Sequence, residues 1–250
     1  MAAGMGGSIL LQFIPLAQSP GHKVRSLAPI TTLSFARYES QRVWSLLQMQ
    51  LGHGQLARVP GLRFYKLLGT GSGSGFSLWP DWDTYALLCV WEDLAHAQDF
   101  WKNSEFAALH GERALQRETF WLETLHAAGK WSGENPFPES KRKLSEHPVG
   151  VITRATLRAS RLGEFWEAVP RAAKAIEEAQ GVRWFKGIGE LPWIQQATFS
   201  VWDSQEAVRS FAYKSRLHAD IVKKTRERNW YTEDLFARFA VVDHQVEELK

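Results

Sequence analysis

Cysteine is almost absent. Cys89 stands alone among 250 residues, which excludes an intramolecular disulfide framework and the usual four-thiolate zinc or iron–sulfur sites, and fits a reducing, cytoplasmic setting. No stretch approaches the roughly 18 to 20 uninterrupted apolar residues of a spanning helix. The segment Ser8 to Ala17 is apolar but short, is broken by Gln12 and Pro15 and has no Lys or Arg ahead of it, so export is not expected. An excess of one charge is missing too. Thirty Lys+Arg against 27 Asp+Glu leave +3, and no basic run tracks a phosphate backbone, which argues against nucleic acid as a partner. None of the eight histidines stands in a HExxH or paired metal-ligand spacing. No local Ser–His–Asp, Cys–His or paired-carboxylate motif offers unaided side-chain catalysis. With 44% hydrophobic and 23% charged residues, the chain is neither disordered nor fibrous.

What is abundant is tryptophan, 12 residues, beside 14 Phe and 5 Tyr. Aromatics at this density fill cores and also line pockets for large flat or lipophilic ligands. The second feature is an internal repeat. Gly61-Leu-Arg-Phe-Tyr-Lys-Leu-Leu-Gly69 aligns with Gly181-Val-Arg-Trp-Phe-Lys-Gly-Ile-Gly189, Thr31–Arg37 with Ile152–Arg158, and Val90-Trp91-Glu92 with Val201-Trp202-Asp203. Each half reads strand, helix, strand, strand, helix, strand. In the first half the strands lie near 30–38, 62–68, 84–91 and 119–126, with helices near 41–57 and 93–107. In the second, the strands lie near 150–158, 182–188, 196–202 and 233–242, with helices near 162–179 and 204–228. This is the ferredoxin-like order. Its helices cover one face of an antiparallel sheet and leave the other to be buried. The expected fold class is therefore α+β: tandem ferredoxin-like units whose antiparallel sheets pack into an α+β barrel. The domain reading is an N-terminal extension (1–27), a first unit (28–133), a linker (134–148), a second unit (149–243) and a C-terminal tail (244–250).

The glycine-rich loop after the second strand leads into Phe76-Ser-Leu-Trp-Pro-Asp-Trp82 rather than a helix start, so it lacks a dinucleotide fingerprint. It reads as a connection or as a lid carrying Phe76, Trp79 and Trp82. His218 shares a helical face with Phe211, Ile221 and Thr225. Its counterpart His110 shares one with Phe106 and Ala114. A satisfied core histidine and a ligand are both open for each. Strand alternation sends Arg63 and Tyr65 to one sheet face and Phe64 and Lys66 to the other. A Lys facing the barrel interior would need a counter-ion, whether a ligand carboxylate or the solvated edge. Cys89 reads as a small buried apolar residue.

Several stretches together resemble the spheroidene monooxygenase family of carotenoid ketolases. They are Phe64-Tyr-Lys-Leu-Leu-Gly-Thr-Gly-Ser-Gly-Ser-Gly-Phe76, Leu88-Cys-Val-Trp91, Gly129-Lys-Trp-Ser-Gly133 with Pro136-Phe137, Thr153-Arg-Ala-Thr156, Gly187-Ile-Gly-Glu-Leu-Pro192, Thr198-Phe-Ser-Val-Trp202 and Leu235-Phe-Ala-Arg-Phe239. The resemblance spans about residues 28–242. It implies a haem-dependent monooxygenase acting on a lipophilic substrate, an acyclic carotenoid, with O₂ as co-substrate and an external electron donor such as a ferredoxin. On that reading His218 is the iron ligand, with His110 as the fallback. Arg63, Lys66, Arg183 and Lys186 are then candidates for the haem propionates. Phe76, Trp79, Trp82, Trp91 and Trp202 are candidates for the substrate pocket. Other haem chemistry on the same barrel, peroxidase-like or porphyrin-degrading, and a non-catalytic haem or lipophile carrier stay open. So do a homodimer and a peripheral membrane contact.

Overall fold

The computed structural model describes residues 28–73, 77–214, 224, 225 and 227–250. The first half forms β1 (Ile30–Arg37), α1 (Arg42–Leu56), β2 (Leu62–Gly71), β3 (Pro80–Trp91), α2 (Leu94–Asn103), α3 (Glu105–Gly111) and β4 (Gln116–Gly129). The second forms β5 (Val149–Leu157), α4 (Leu162–Glu177), β6 (Val182–Leu191), β7 (Gln195–Trp202), α5 (Gln205–Lys214) and β8 (Tyr231–Glu248). The strands close into one barrel, in the order β1-β3-β2-β6-β7-β5-β8-β4. Each half contributes four consecutive staves. The fold is the expected α+β barrel, with the helices outside. No helix among the described residues is long and apolar enough to cross a membrane.

Alternation along each strand divides the side chains between two cores. Leu33, Phe35, Leu88, Phe120, Leu122, Ile152, Phe199 and Phe239 point inward and fill the barrel. Ile30, Leu87, Cys89, Trp91 and Trp121 point outward under the first-half helices, where they meet Leu56, Phe100 and Phe106. Cys89 is fully buried there, and burial pushes its thiol pKa up, so it behaves as an apolar filler.

Three boundaries differ from the sequence reading, each for a local reason. The single helix expected over 93–107 is two, because Ser104 adopts an extended conformation (φ −79°, ψ 146°) that closes α2. Its hydroxyl then accepts the Ala107 N–H at 3.0 Å and starts α3. The final strand runs to Glu248, paired with Gln116, so most of the tail expected over 244–250 is barrel stave. Barrel register also equates Ile30 with Val149, each opposite the last Trp of its neighbouring strand. The first-strand repeat is thus offset by two residues from the sequence alignment, a slip that preserves the faces.

The linker is more than a spacer. Phe137 and Leu144 are buried, and Phe137 meets Phe239 edge-on with ring centroids 5.0 Å apart. Phe239 thus joins the barrel interior to the linker that caps it. The Phe239→Ala variant should lose about 3–5 kcal/mol in urea denaturation. A loss under about 1 kcal/mol would mean that the interior is not packed as described.

Candidate active site

The barrel interior is packed with aromatic rings. Phe35, Phe120, Trp184 and Phe199 meet one another, with Phe35 to Trp184 at 4.8 Å and Phe120 to Phe199 at 5.1 Å. The layer between helices and sheet is packed differently in the two halves.

The four cations expected at a ligand carboxylate are paired with protein carboxylates. Arg63 and Arg183 are exposed on the outer face, Arg63 3.8 Å from Glu92 and Arg183 hydrogen-bonded to Asp203. These acids directly follow Trp91 and Trp202 in the repeat. Lys66 donates to Glu190 at 2.6 Å and to Ser132 at 2.7 Å, while Lys186 lies 3.4 Å from Asp81. Phe64 joins the inner cluster and Tyr65 the outer one, so the alternation holds. Sequence reasoning missed that the Lys66 partner belongs to a half-buried network centred on buried Arg154 at the barrel end. Glu190 also accepts from the Trp131 indole at 2.6 Å and lies 3.7 Å from Arg154. Arg154 is hydrogen-bonded to Glu233, which accepts the Ser132 and Gly133 N–H groups at 3.0 and 2.7 Å. Burial would raise the Glu233 pKa, but the Gly133 and Ser132 N–H groups and Arg154 outweigh it and hold it below the ordinary carboxylate range. The signal was present: the stretches holding Lys66, Trp131, Arg154 and Glu190 are four of those that carry the family resemblance.

The tryptophans separate. Trp91 and Trp202 are buried under the helices, donating to Thr32 Oγ1 at 2.9 Å and Ser200 Oγ at 2.8 Å, and so are structural. Trp79 and Trp82 lie exposed near the β2–β3 connection. Phe76 and His218 lie outside the described residues. Among the described residues no group of His, Cys, Asp or Glu could hold a metal ion.

His110, in the last turn of α3, faces α1, where its ring lies 5.0 Å from Trp44. Its ring stacks on Phe106 at 4.0 Å and its Nδ1 is 2.6 Å from the Tyr38 hydroxyl. Its Nε2 is buried without a hydrogen-bond partner. The cavity it lines measures ≈ 40 Å³, room for a few waters rather than a porphyrin. Burial, reinforced by Arg113, lowers the His110 pKa to about 4. The ring is therefore neutral at physiological pH.

The corresponding region of the second half is open. In the first half, Leu67, Leu87, Ser34 and Thr119 form one row across the outer sheet face, and all four are buried. Register equates them with Gly187, Thr198, Thr153 and Phe236. Two leucines have become Gly and Thr, which removes the filling. Thr153 is exposed in mid-strand and Phe236 is 38% exposed, although strand neighbours on either side of Thr153 are buried. The outer core is correspondingly split in two. Val149, Trp202 and Val208 lie at one side, and Leu157, Phe165, Val169 and Trp230 at the other. Beside Phe236 on the same face is half-buried Arg238, whose Nε is buried with no hydrogen-bond partner. An apolar platform flanked by aromatics, with one cation short of an acceptor, suits a large flat or elongated lipophile bearing a carboxylate.

No family model matches the chain. The spheroidene monooxygenase of Rhodobacter capsulatus is 34% identical over 218 residues, covering 86% of this chain and 90% of that one. The protein of the same name from Cereibacter sphaeroides is 32% identical over 214 residues, covering 84% and 66%. Among solved structures, an aldoxime dehydratase crystallised with butyraldoxime superposes with a TM-score of 0.57 at 12% identity, over 88% of this chain and 82% of that one. That likeness is one of fold.

The neutral His110 makes stability pH-dependent. The unfolded ring takes a proton near its ordinary 6.5, the folded one only near 4. Between those values the unfolded state binds more protons, so this contribution is complete above pH 6.5 and lost as pH falls toward 4. Urea denaturation should show a loss on the order of 3 kcal/mol across that window, absent from the difference between pH 6.5 and 4 in His110→Gln. Equal slopes in both proteins would place the histidine in solvent.

Proposed function

Because the chain belongs to the spheroidene monooxygenase family, and is a monooxygenase on that ground, we propose that it is haem-dependent and oxygenates an acyclic carotenoid on the outer sheet face of its second half. The observation that carries this reading is the exposed pair Thr153 and Phe236, in one row with half-buried Thr198 and buried Gly187, beside the unpartnered Arg238 Nε. The equivalent row in the first half is filled by leucines.

These residues fit a porphyrin. Gly187 and Thr198 put smaller side chains where the first half has Leu67 and Leu87. Phe236 offers a ring for stacking, and Arg238 offers a charge-assisted donor to a propionate. Arg238 thus takes the role first expected of Arg63, Lys66, Arg183 and Lys186, which are paired within the protein. The iron ligand proposed is His218, which follows α5 in the sequence. Bound haem would supply reductive activation of O₂, one oxygen atom entering an allylic C–H bond and the other leaving as water, with two electrons and two protons from an external donor such as a ferredoxin. The protein's own share is positioning. The buried clusters around Phe165, Val169 and Trp230 on one side and Val208 on the other hold the sheet and helices that frame this patch, which fixes where a polyene laid along it would sit.

The test is a haem titration of the protein followed by absorption spectroscopy. A Soret band saturating at one equivalent is expected, lost in His218→Ala, retained in His110→Ala, and formed with roughly tenfold weaker affinity in Arg238→Ala. A wild-type protein that takes up no haem sinks the reading. A band lost in His110→Ala but kept in His218→Ala would move the site to the other half.

A further inference from the structure

Helix α1 turns a mixed face inward and an aliphatic row outward. Ser45, Gln48, Gly52 and Leu56 are buried, whereas Val43, Leu46, Leu47 and Leu51 are 75, 50, 54 and 63% exposed. The helix packs closely at Gly52, where a Cβ would lie 3.2 Å from both Leu67 Cδ1 and Phe106 Cε2. Trp44 is also held, its ring 5.0 Å from His110 and 4.9 Å from the Arg113 guanidinium. The aliphatic row is thus a fixed outer surface. A run of large apolar side chains on a soluble face marks an interaction site.

The surface continues beyond the helix. Arg42 at its first turn makes two hydrogen bonds to Asp83, at 2.6 and 2.7 Å, next to exposed Trp82. Trp79 is 71% exposed, and the indole of exposed Trp193 donates to Leu78 O at 3.2 Å, tying the two strand connections at this end together. From Ser40 to Pro80 the sequence contains no Asp or Glu, while Arg42, Arg58, Arg63 and Lys66 fall within it. Arg42, Arg63 and Lys66 are paired with Asp83, Glu92 and Glu190, so the character of this surface is apolar. Aliphatics along a helix lying flat with tryptophans at its end are the composition of an interfacial segment. A single row of aliphatics on a 15-residue helix is also narrow beside the roughly 800 Å² per partner of a stable protein interface. A shallow insertion among acyl chains needs no such area.

We propose that the outward face of α1, with Trp79 and Trp82, docks the protein on a lipid bilayer through its apolar side chains. The Val43–Leu46–Leu47–Leu51 row enters the acyl boundary and the tryptophans sit at headgroup depth. This goes beyond the proposed reaction and does not depend on it, since the surface belongs to the first half and needs neither haem nor substrate.

The test is co-sedimentation of the full chain with phosphatidylcholine vesicles with and without phosphatidylglycerol. Wild type is expected to sediment with both kinds of vesicle, since the contact is apolar. Leu46→Gln/Leu47→Gln/Leu51→Gln is expected to lower the partition coefficient by about tenfold or more, with unchanged circular dichroism. Should that triple variant fail to fold, Trp79→Ser/Trp82→Ser gives the same readout from outside the helix. Wild type that stays in the supernatant, or variants that bind as wild type does, overturns the proposal. Light scattering that shows a dimer dissociated by the triple variant assigns the surface to a second copy and overturns it as well. None of these outcomes bears on the haem titration.

Discussion

Closure of the barrel at its shorter seam is the constraint on which the rest depends. The two halves meet twice. Along β4 and β8 the pairing runs from Gln116–Glu248 to Gly129–Leu235, whereas β2 and β6 share only the pairs Gly69–Gly189 and Thr70–Ile188. Backbone hydrogen bonding at so short a seam is slight. The buried charges supply what the backbone does not: Lys66 on β2 bonds Glu190 on β6, and Glu190 in turn engages Trp131 and approaches Arg154 on β5. A buried ion pair adds little net stability against an apolar substitute, but leaving one member unpaired is costly. Such a network therefore specifies which strands meet. With the barrel closed in that register, the aromatic side chains of both halves pack together in its interior.

Much of this was legible in the sequence. Strand and helix order, the duplication, and the inner and outer sets on β2 followed from periodicity and from the glycine-bounded repeat. The placement of the site was not legible, because it depends on what faces a residue across the sheet rather than along the chain. Lys66 and Lys186 read as waiting for a ligand because Glu190 and Asp81 are remote in sequence. Arg63 and Arg183 could have been assigned, since Glu92 and Asp203 stand at matching places in the repeat. The Leu67-to-Gly187 and Leu87-to-Thr198 replacements were visible as letters. Only register shows that they stack in one row and hollow out one face.

The two halves illustrate how one supersecondary unit takes opposite packing solutions. In the first, α1 approaches through Gly52 and the outer core is continuous, down to a cavity of ≈ 40 Å³ beside a neutral histidine. In the second, that core divides and an arginine nitrogen is left without an acceptor. The difference arises from a few side chains on an unchanged sheet, as expected where fold and function are separable.

The unequal seams have a consequence for how such a protein can diversify. If each half were a separate chain, twofold symmetry would force both junctions between the copies to be identical, and every substitution would appear on both faces at once. Joining the halves into one polypeptide lifts that obligation. The long junction can hold the molecule together while the short one is left to side chains, and one face can be packed shut for stability while its twin is emptied. The covalent link thus decouples robustness from innovation, and the residues that differ between the halves become the record of which face was released to change.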